Sequence, residues 1–254
     1  MLLTIAVLFV LGCLSGVTTV LFGFGGGFVT VPVVYSVAAS GPDAMHVAVG
    51  TSAAVMVVNS LGATLALRRA GRLRREYLWP LAAFVALGAA VGTPAATLAP
   101  DSVLHLLFAV YLVVTILDSL LRRGFLRGGG TPRPLGRLTT TAGGVGIGAV
   151  ASFLGVGGSV MTVPLLRRRG LPMVEAAAMA NPLSLPVAVV ATTLYLLGPG
   201  GPTGAVDPVA AAALLAGSLP AIALSRRLLP PIPDRAHAVA HLCLLVAALV
   251  AVLL

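Results

Sequence analysis

Apolar residues run through this chain in long blocks, with polar positions gathered between them. Residues 44 to 67, 78 to 98, 103 to 121, 176 to 197, 208 to 225 and 234 to 254 form six such blocks. Crossing roughly 30 Å of hydrocarbon takes about 20 helical residues, so the pattern predicts six membrane-spanning helices. Two further apolar stretches are interrupted by glycines. Residues 1 to 22 lead through the glycines of 23 to 27 into 28 to 39, which is too short to span. Residues 138 to 154 lead through Gly155 to Gly158 into the still shorter 159 to 166. Each pair predicts a hairpin that enters the bilayer and returns to its own face. Residues 1 to 22 alone are long enough to span, which would leave 28 to 39 as a distorted second crossing with the same loop orientation. They carry no basic segment ahead of the apolar run, so the reading is a retained helix and not a cleaved signal peptide.

Composition agrees with the pattern. At 58% hydrophobic and 9% charged residues, with mean hydropathy +1.06, too little polar surface exists to coat a soluble domain of 254 residues. A net charge of +9 in a soluble protein would suggest nucleic acid. No basic patch interleaved with aromatics accompanies it, so no nucleic-acid partner is expected. All sixteen basic residues are arginines, confined to 68–75, 122–137, 167–169 and 226–235. The positive-inside rule places those segments in the cytoplasm. Loops 40–43, 99–102 and 198–207 hold Asp43, Asp101 and Asp207 without arginine and face outward. A multi-pass protein of the plasma (inner) membrane follows, with both termini outside the cytoplasm and the lipid bilayer as its first partner.

The two interrupted stretches are copies. Gly23-Phe24-Gly25-Gly26-Gly27-Phe28-Val29-Thr30-Val31-Pro32 recurs after 132 residues as Gly155-Val156-Gly157-Gly158-Ser159-Val160-Met161-Thr162-Val163-Pro164. The register continues through Asp43-Ala44 with Glu175-Ala176, Ala48 with Ala180 and Ser52 with Ser184. The chain therefore reads as repeat 1–121, a basic linker 122–137 loosened by Gly128 to Gly130, Pro132 and Pro134, and repeat 138–254. One hairpin and three crossings per unit invert the second copy. The predicted fold is an all-α multi-pass membrane protein of two inverted-topology repeats, the sequence signature of a secondary transporter with its site where the breaks meet.

The chemistry of the breaks points to an anion. Glycine lets backbone N–H groups approach a ligand closely, and non-helical backbone at membrane depth is tolerated only against protein or a wet cavity. Each break precedes a short helix whose N-terminus lies inside the membrane, so two such ends offer about one positive charge. The candidate binding residues are Gly25, Gly26 and Gly27 in the first break and Gly157, Gly158 and Ser159 in the second. Thr51 and Ser52, with Asn181 and Ser184 in the other unit, reach similar depth. The charge balance favours a small monoanion, with a coupled proton for anything more highly charged.

At these residues the chain resembles a known family. The Gly-rich break ending in Val-Pro, the following Ala48-Val49-Gly50-Thr51-Ser52 and the repetition of the whole resemble the TauE/SafE family of sulfite exporters, over essentially the full chain. The resemblance implies a permease for small sulfur-containing anions such as sulfite, sulfoacetate or other sulfonates, moved mostly outward. The second copy departs from the pattern at Ser159, opposite Gly27, and at Leu183-Ser184, opposite Thr51-Ser52.

Other features read as structure. Gly12 with Gly16 and Gly144 with Gly148 have the spacing of helix-packing faces. No nucleotide-binding glycine motif is completed and nothing calls for a cofactor or metal. His46 with Asp43, His105 with Asp101 and Asp118 with Arg122 have the spacing of caps and interfacial pairs. His241, a turn deeper than His237, is the candidate proton relay. Cys13 and Cys243 lie in helices of different units and predict no disulfide. Two alternatives remain open from sequence: an intramembrane serine hydrolase using Ser159 with His241 as base, and a passive anion channel. Oligomeric state is open as well.

Overall fold

Helices account for all the regular structure among the described residues. The computed structural model describes residues 2–37, 43–121, 125, 131–198, 205–228 and 232–253. The first half holds α1 (Leu2–Phe22), α2 (Gly27–Val37), α3 (Ala44–Arg69), the short α4 (Arg75–Leu78), α5 (Leu81–Thr97) and α6 (Asp101–Leu121). The second holds the short α7 (Arg137–Thr140), α8 (Ala142–Leu154), α9 (Ser159–Arg168), α10 (Met173–Leu197), α11 (Pro208–Leu228) and α12 (Asp234–Leu253). Among the described residues, seven helical segments are long and apolar enough to cross a membrane: the six expected, with α4 and α5 together forming one, and α1.

The interruptions fold as hairpins. Every left-handed residue at their tips is a glycine: Gly23, Gly25 and Gly26 after α1, Gly155 and Gly157 after α8. The second hairpin returns to its own face, because Arg133, ahead of α8, donates its N–H to the carbonyl of Arg169 at the end of α9, at 2.8 Å. In the first, Ile5 and Leu8 near the start of α1 share an apolar cluster with Val34 and Val37 near the end of α2. Thus α1 is long enough to span, yet its return arm α2 climbs back beside it.

The halves interlock. The long arm of the first hairpin, α1, packs on α11 of the second half, and α8 packs on α5 of the first. Glycines make both contacts. A Cβ on Gly12 would lie 2.3 Å from the carbonyl oxygen of Leu214, and one on Gly16 2.4 Å from that of Ser218. Across the other interface, Gly148 faces the Val85 carbonyl at 1.9 Å and Gly88 that of Val145 at 2.0 Å by the same measure. These backbones touch, as small residues in membrane helices permit. The packing reading of the Gly12/Gly16 and Gly144/Gly148 pairs holds. The central helices α3 and α10 pack against each other between these interfaces. Large apolar side chains such as Leu106, Val114, Leu117, Leu224 and Val246 stay exposed, as lipid-facing positions do.

Matching carboxylates tie the two ends of the bundle. At one face Asp101, opening α6, accepts the Met45 N–H of α3 at 2.8 Å and lies 2.6 Å from His46 Nδ1. At the other, Asp234, opening α12, accepts the Met173 N–H of α10 at 2.7 Å and holds the Arg167 guanidinium in a fork. The side chain of Arg167 is fully buried. It also donates to the carbonyl of Phe125, which anchors the linker. The in-helix pairs expected of the histidines give way to bonds between helices. His46 turns to Asp101 and the Ala96 carbonyl, while His105 bonds the Val252 carbonyl at 2.7 Å. The reason is geometric: these helix starts face a neighbouring helix, whose partner is closer than one a turn away. Asp118 pairs with Arg168, and Arg122 lies outside the described residues. Cys13 and Cys243 are free.

Candidate functional site

The two breaks meet. Ser52, fully buried on α3, places its Oγ 3.0 Å from the Gly27 carbonyl and 3.1 Å from the Gly155 carbonyl, and 2.7 Å from Thr30 Oγ1. One hydroxyl thus ties the first break to the second. All three of these neighbours belong to the breaks and the short helix after the first, so whichever takes its single proton, Ser52 serves the frame. Met56, one turn further along α3 and also fully buried, fills the space between the tips. Its side chain lies 2.9 Å, 3.0 Å and 2.4 Å from where Cβ atoms would stand on Gly25, Gly27 and Gly157. Only glycine leaves room for it at all three.

Helix geometry leaves the first N–H groups of α2 and α9 without acceptors inside their own helices. The first bonds of those helices are Val29 and Thr30 to the Gly26 carbonyl, and Met161 and Thr162 to the Gly158 carbonyl. The amides that precede them, at the tips, have no acceptor within their own helices.

Polar side chains gather around these ends. Asn59, a turn below Met56 on α3, is fully buried, and its Oδ1 accepts the Ser218 hydroxyl of α11 at 2.9 Å. That bond turns the amide so that Nδ2, which has no partner, faces the first break, 2.8 Å from the Cβ position of Gly26. Ser15 Oγ and Ser60 Oγ border the Cβ positions of Gly26 and Gly25 at 2.6 Å and 2.4 Å. On the second break, Ser184 Oγ stands 3.2 Å from the Cβ position of Gly157. The hydroxyls of Ser60, Ser159 and Ser184 are all buried without partners. Burying an unpaired donor costs about 1–3 kcal/mol, so these four groups at the breaks, counting the Asn59 amide, make this region the candidate site.

The sequence-derived candidates divide. Gly25, Gly26, Gly27, Gly157, Gly158, Ser159 and Ser184 lie at the breaks. Asn181 stands beside them, its Nδ2 bonded to the Thr19 carbonyl at 3.3 Å and its Oδ1 without a partner. Thr51 faces elsewhere: its Oγ1 accepts the Asp207 N–H at 2.9 Å and fixes the turn into α11. Asn59, Ser60, Met56 and Ser15 escaped the sequence reading. A lone amide within the apolar block 44 to 67 was the available signal for Asn59, because such a group is costly in lipid unless it faces the bundle interior.

His241 is fully buried beside the first break, its ring 5.0 Å from that of Phe24, 5.7 Å from Phe22 and 5.6 Å from Phe125. Neither of its ring nitrogens has a hydrogen-bond partner, and neither does Ser159 Oγ. The nucleophile–base contact that a Ser159–His241 hydrolase requires is therefore not made. His237 bonds the Leu21 carbonyl at 2.5 Å.

A family model described as Sulfite exporter TauE/SafE matches residues 8–252. No curated protein and no solved structure matches the chain.

Proposed function

Because the chain belongs to the sulfite exporter TauE/SafE family, a family of membrane transporters, we propose that it is a secondary transporter exporting small sulfur-containing anions across the plasma membrane. Sulfite, sulfoacetate and other sulfonates are the substrates meant. The observation that carries this reading is the contact between the two breaks, with the unpartnered donors of Asn59, Ser60, Ser159 and Ser184 around them. An S–O headgroup offers several acceptors to such donors and to the free amides of the two helix starts.

In this proposal the arginine-rich face is cytoplasmic and both termini lie outside. Residues 1–121 and 138–254 are the inverted repeats, and the interlocking of α1 with α11 and of α8 with α5 supports that relation. Gly25 to Gly27, Gly157, Gly158, Ser159, Asn181 and Ser184 contact the anion. Ser52 and Thr51 hold the frame around it. Two helix starts supply about one positive charge, which matches a monoanion, and His241 is the group beside the site that can take up a proton travelling with the substrate.

The test is a transport screen in reconstituted vesicles. Sulfite and short alkylsulfonates should be moved, and driven against their gradient by an imposed proton gradient. Movement of these anions only down their gradient would make the protein a channel. Equal transport of chloride and phosphate would remove the sulfur-anion assignment.

A further inference from the structure

The breaks need an approach from water, and one face of the bundle provides it. A cavity of about 630 Å³ opens at the arginine-rich face among α1, α3, α10, α11 and α12. That volume falls within the roughly 300–1,000 Å³ of small-molecule sites. Ala63, Asn181, Ser225 and His237 are buried parts of its lining, and Arg72 and Arg226 are its exposed, outer part. A smaller hollow of about 240 Å³ adjoins it, sharing Leu67, Arg72 and Ala178. On the opposite face, the space beneath Tyr35, Met45, His105 and Phe108 is about 10 Å³, room for no more than a water.

The floor of the large cavity abuts the first break. Asn181 bonds the Thr19 carbonyl, and the Thr19 hydroxyl lies 3.7 Å from the Cβ position of Gly26. Ala63 sits one helical turn from Asn59 on α3. The mouth is set apart by its charges. The carboxylates of this face are engaged by arginines: Glu175 and Glu76 by Arg74, Asp118 by Arg168 and Asp234 by Arg167. Arg72 and Arg226, the two arginines that line the cavity, form no ion pair among the described residues. One follows α3 and the other lies in the last turn of α11, so each sequence half contributes one.

We propose that this cavity is the loading vestibule, in which Arg72 and Arg226 gather a small oxyanion from the arginine-rich side and deliver it past Asn181 to the first break. The inference rests on the transport reading above and names the residues that capture substrate for it. Fixed charges of one sign at the mouth of a low-dielectric cleft raise the local concentration of counter-ions, and salt weakens the effect. A guanidinium fork matches two oxygens of a sulfite or sulfonate headgroup. A lipid phosphate offers the same oxygens, so the test must separate the two.

Initial rates of sulfite transport are measured for the full chain in vesicles of neutral phosphatidylcholine, and in vesicles containing anionic phosphatidylglycerol, each at low and high salt. The paired change Arg72→Gln with Arg226→Gln should raise KM by roughly tenfold or more, flatten its salt dependence and retain the maximal rate. The paired change to Lys should keep most of the affinity. The same shift is expected in both lipids. Unchanged KM and salt dependence in the Gln pair, with a transporting wild type, overturn the vestibule alone. A shift confined to anionic vesicles overturns it too, by assigning the arginines to lipid headgroups. A wild type that moves no sulfur oxyanion overturns both the vestibule and the transport reading.

Discussion

Replacing Gly157 by Ala is the smallest change that strikes the junction of the breaks. The residue has φ of +65°, where a Cβ costs about 1–2 kcal/mol. The new methyl would stand 2.4 Å from Met56 Sδ and 3.2 Å from Ser184 Oγ. Met56 is fully buried, with Gly25 and Gly27 on its other sides, so little room is open for it to swing into. Crowding of this kind costs about 1–3 kcal/mol, so the substitution should destabilise the protein by about 2–5 kcal/mol in total and abolish transport. Gly158, one residue on, is the control. Its φ is −70°, and a Cβ would meet side-chain methyls alone, Cγ2 of Ile147 at 3.1 Å and Cγ2 of Thr162 at 3.7 Å. Gly158→Ala should change stability by less than about 1 kcal/mol. On a Met56→Ala background the Met56 clash disappears and the tight but smaller contact with Ser184 remains, so Gly157→Ala should cost little more than the backbone strain of about 1–2 kcal/mol. Thermal unfolding of the purified variants in detergent reads all four corners of this cycle. Equal losses for the two alanine variants, or a Gly157→Ala cost indifferent to Met56, would refute the packing argument.

Three further outcomes follow from the geometry. Gly148→Ala, aimed 1.9 Å from the Val85 carbonyl oxygen, should prise α8 from α5 and lower the unfolding midpoint, whereas Gly146→Ala, with nothing within 4 Å, should leave it level or raise it by helix propensity. Asp234→Asn strands the fully buried Arg167 guanidinium and should cost about 3 kcal/mol, the low end for breaking a buried pair because Asp234 is itself part-exposed. Glu175→Gln, which breaks the more exposed pair with Arg74, should cost less than about 1 kcal/mol in the same denaturation assay. Asn59→Ala removes the donor facing Gly26 and should weaken sulfite binding by about 1.5–3 kcal/mol, which calorimetry would read as a loss of roughly ten- to a hundredfold. Ser218→Ala, which only frees that amide to turn, should have a smaller effect in the same titration.

Much of the architecture could be read from the chain because the bilayer enforces it. Most spans end where an apolar block meets arginine or aspartate, and α10 stops at Gly198, so α3, α6, α10, α11 and α12 begin and end within about four residues of the expected bounds. The 132-residue register exposed the breaks, since two stretches that cannot pack as plain helices would not otherwise match. Which helix meets which was beyond reach. Gly12 and Gly16 announce a close neighbour, but nothing in their spacing names Leu214 and Ser218 of the other half. The histidine pairs failed for a related reason: three- and four-residue spacing makes contact available, and a closer partner on the next helix takes it. Met56 carried no signal, because a methionine inside an apolar span is unremarkable until glycines on two separate hairpins close around it.

The claim at the centre of this account is that a sulfur oxyanion sits where the two breaks meet. A structure with a bromine-substituted alkylsulfonate, located by anomalous scattering, addresses it directly. The account predicts one bromine peak adjoining the tips, with the sulfonate oxygens within hydrogen-bond distance of Asn59 Nδ2 and of backbone N–H groups at Gly26 or Gly157. A sulfonate bound elsewhere in the bundle, with no peak beside Asn59 or Ser184 at saturating ligand, would contradict it.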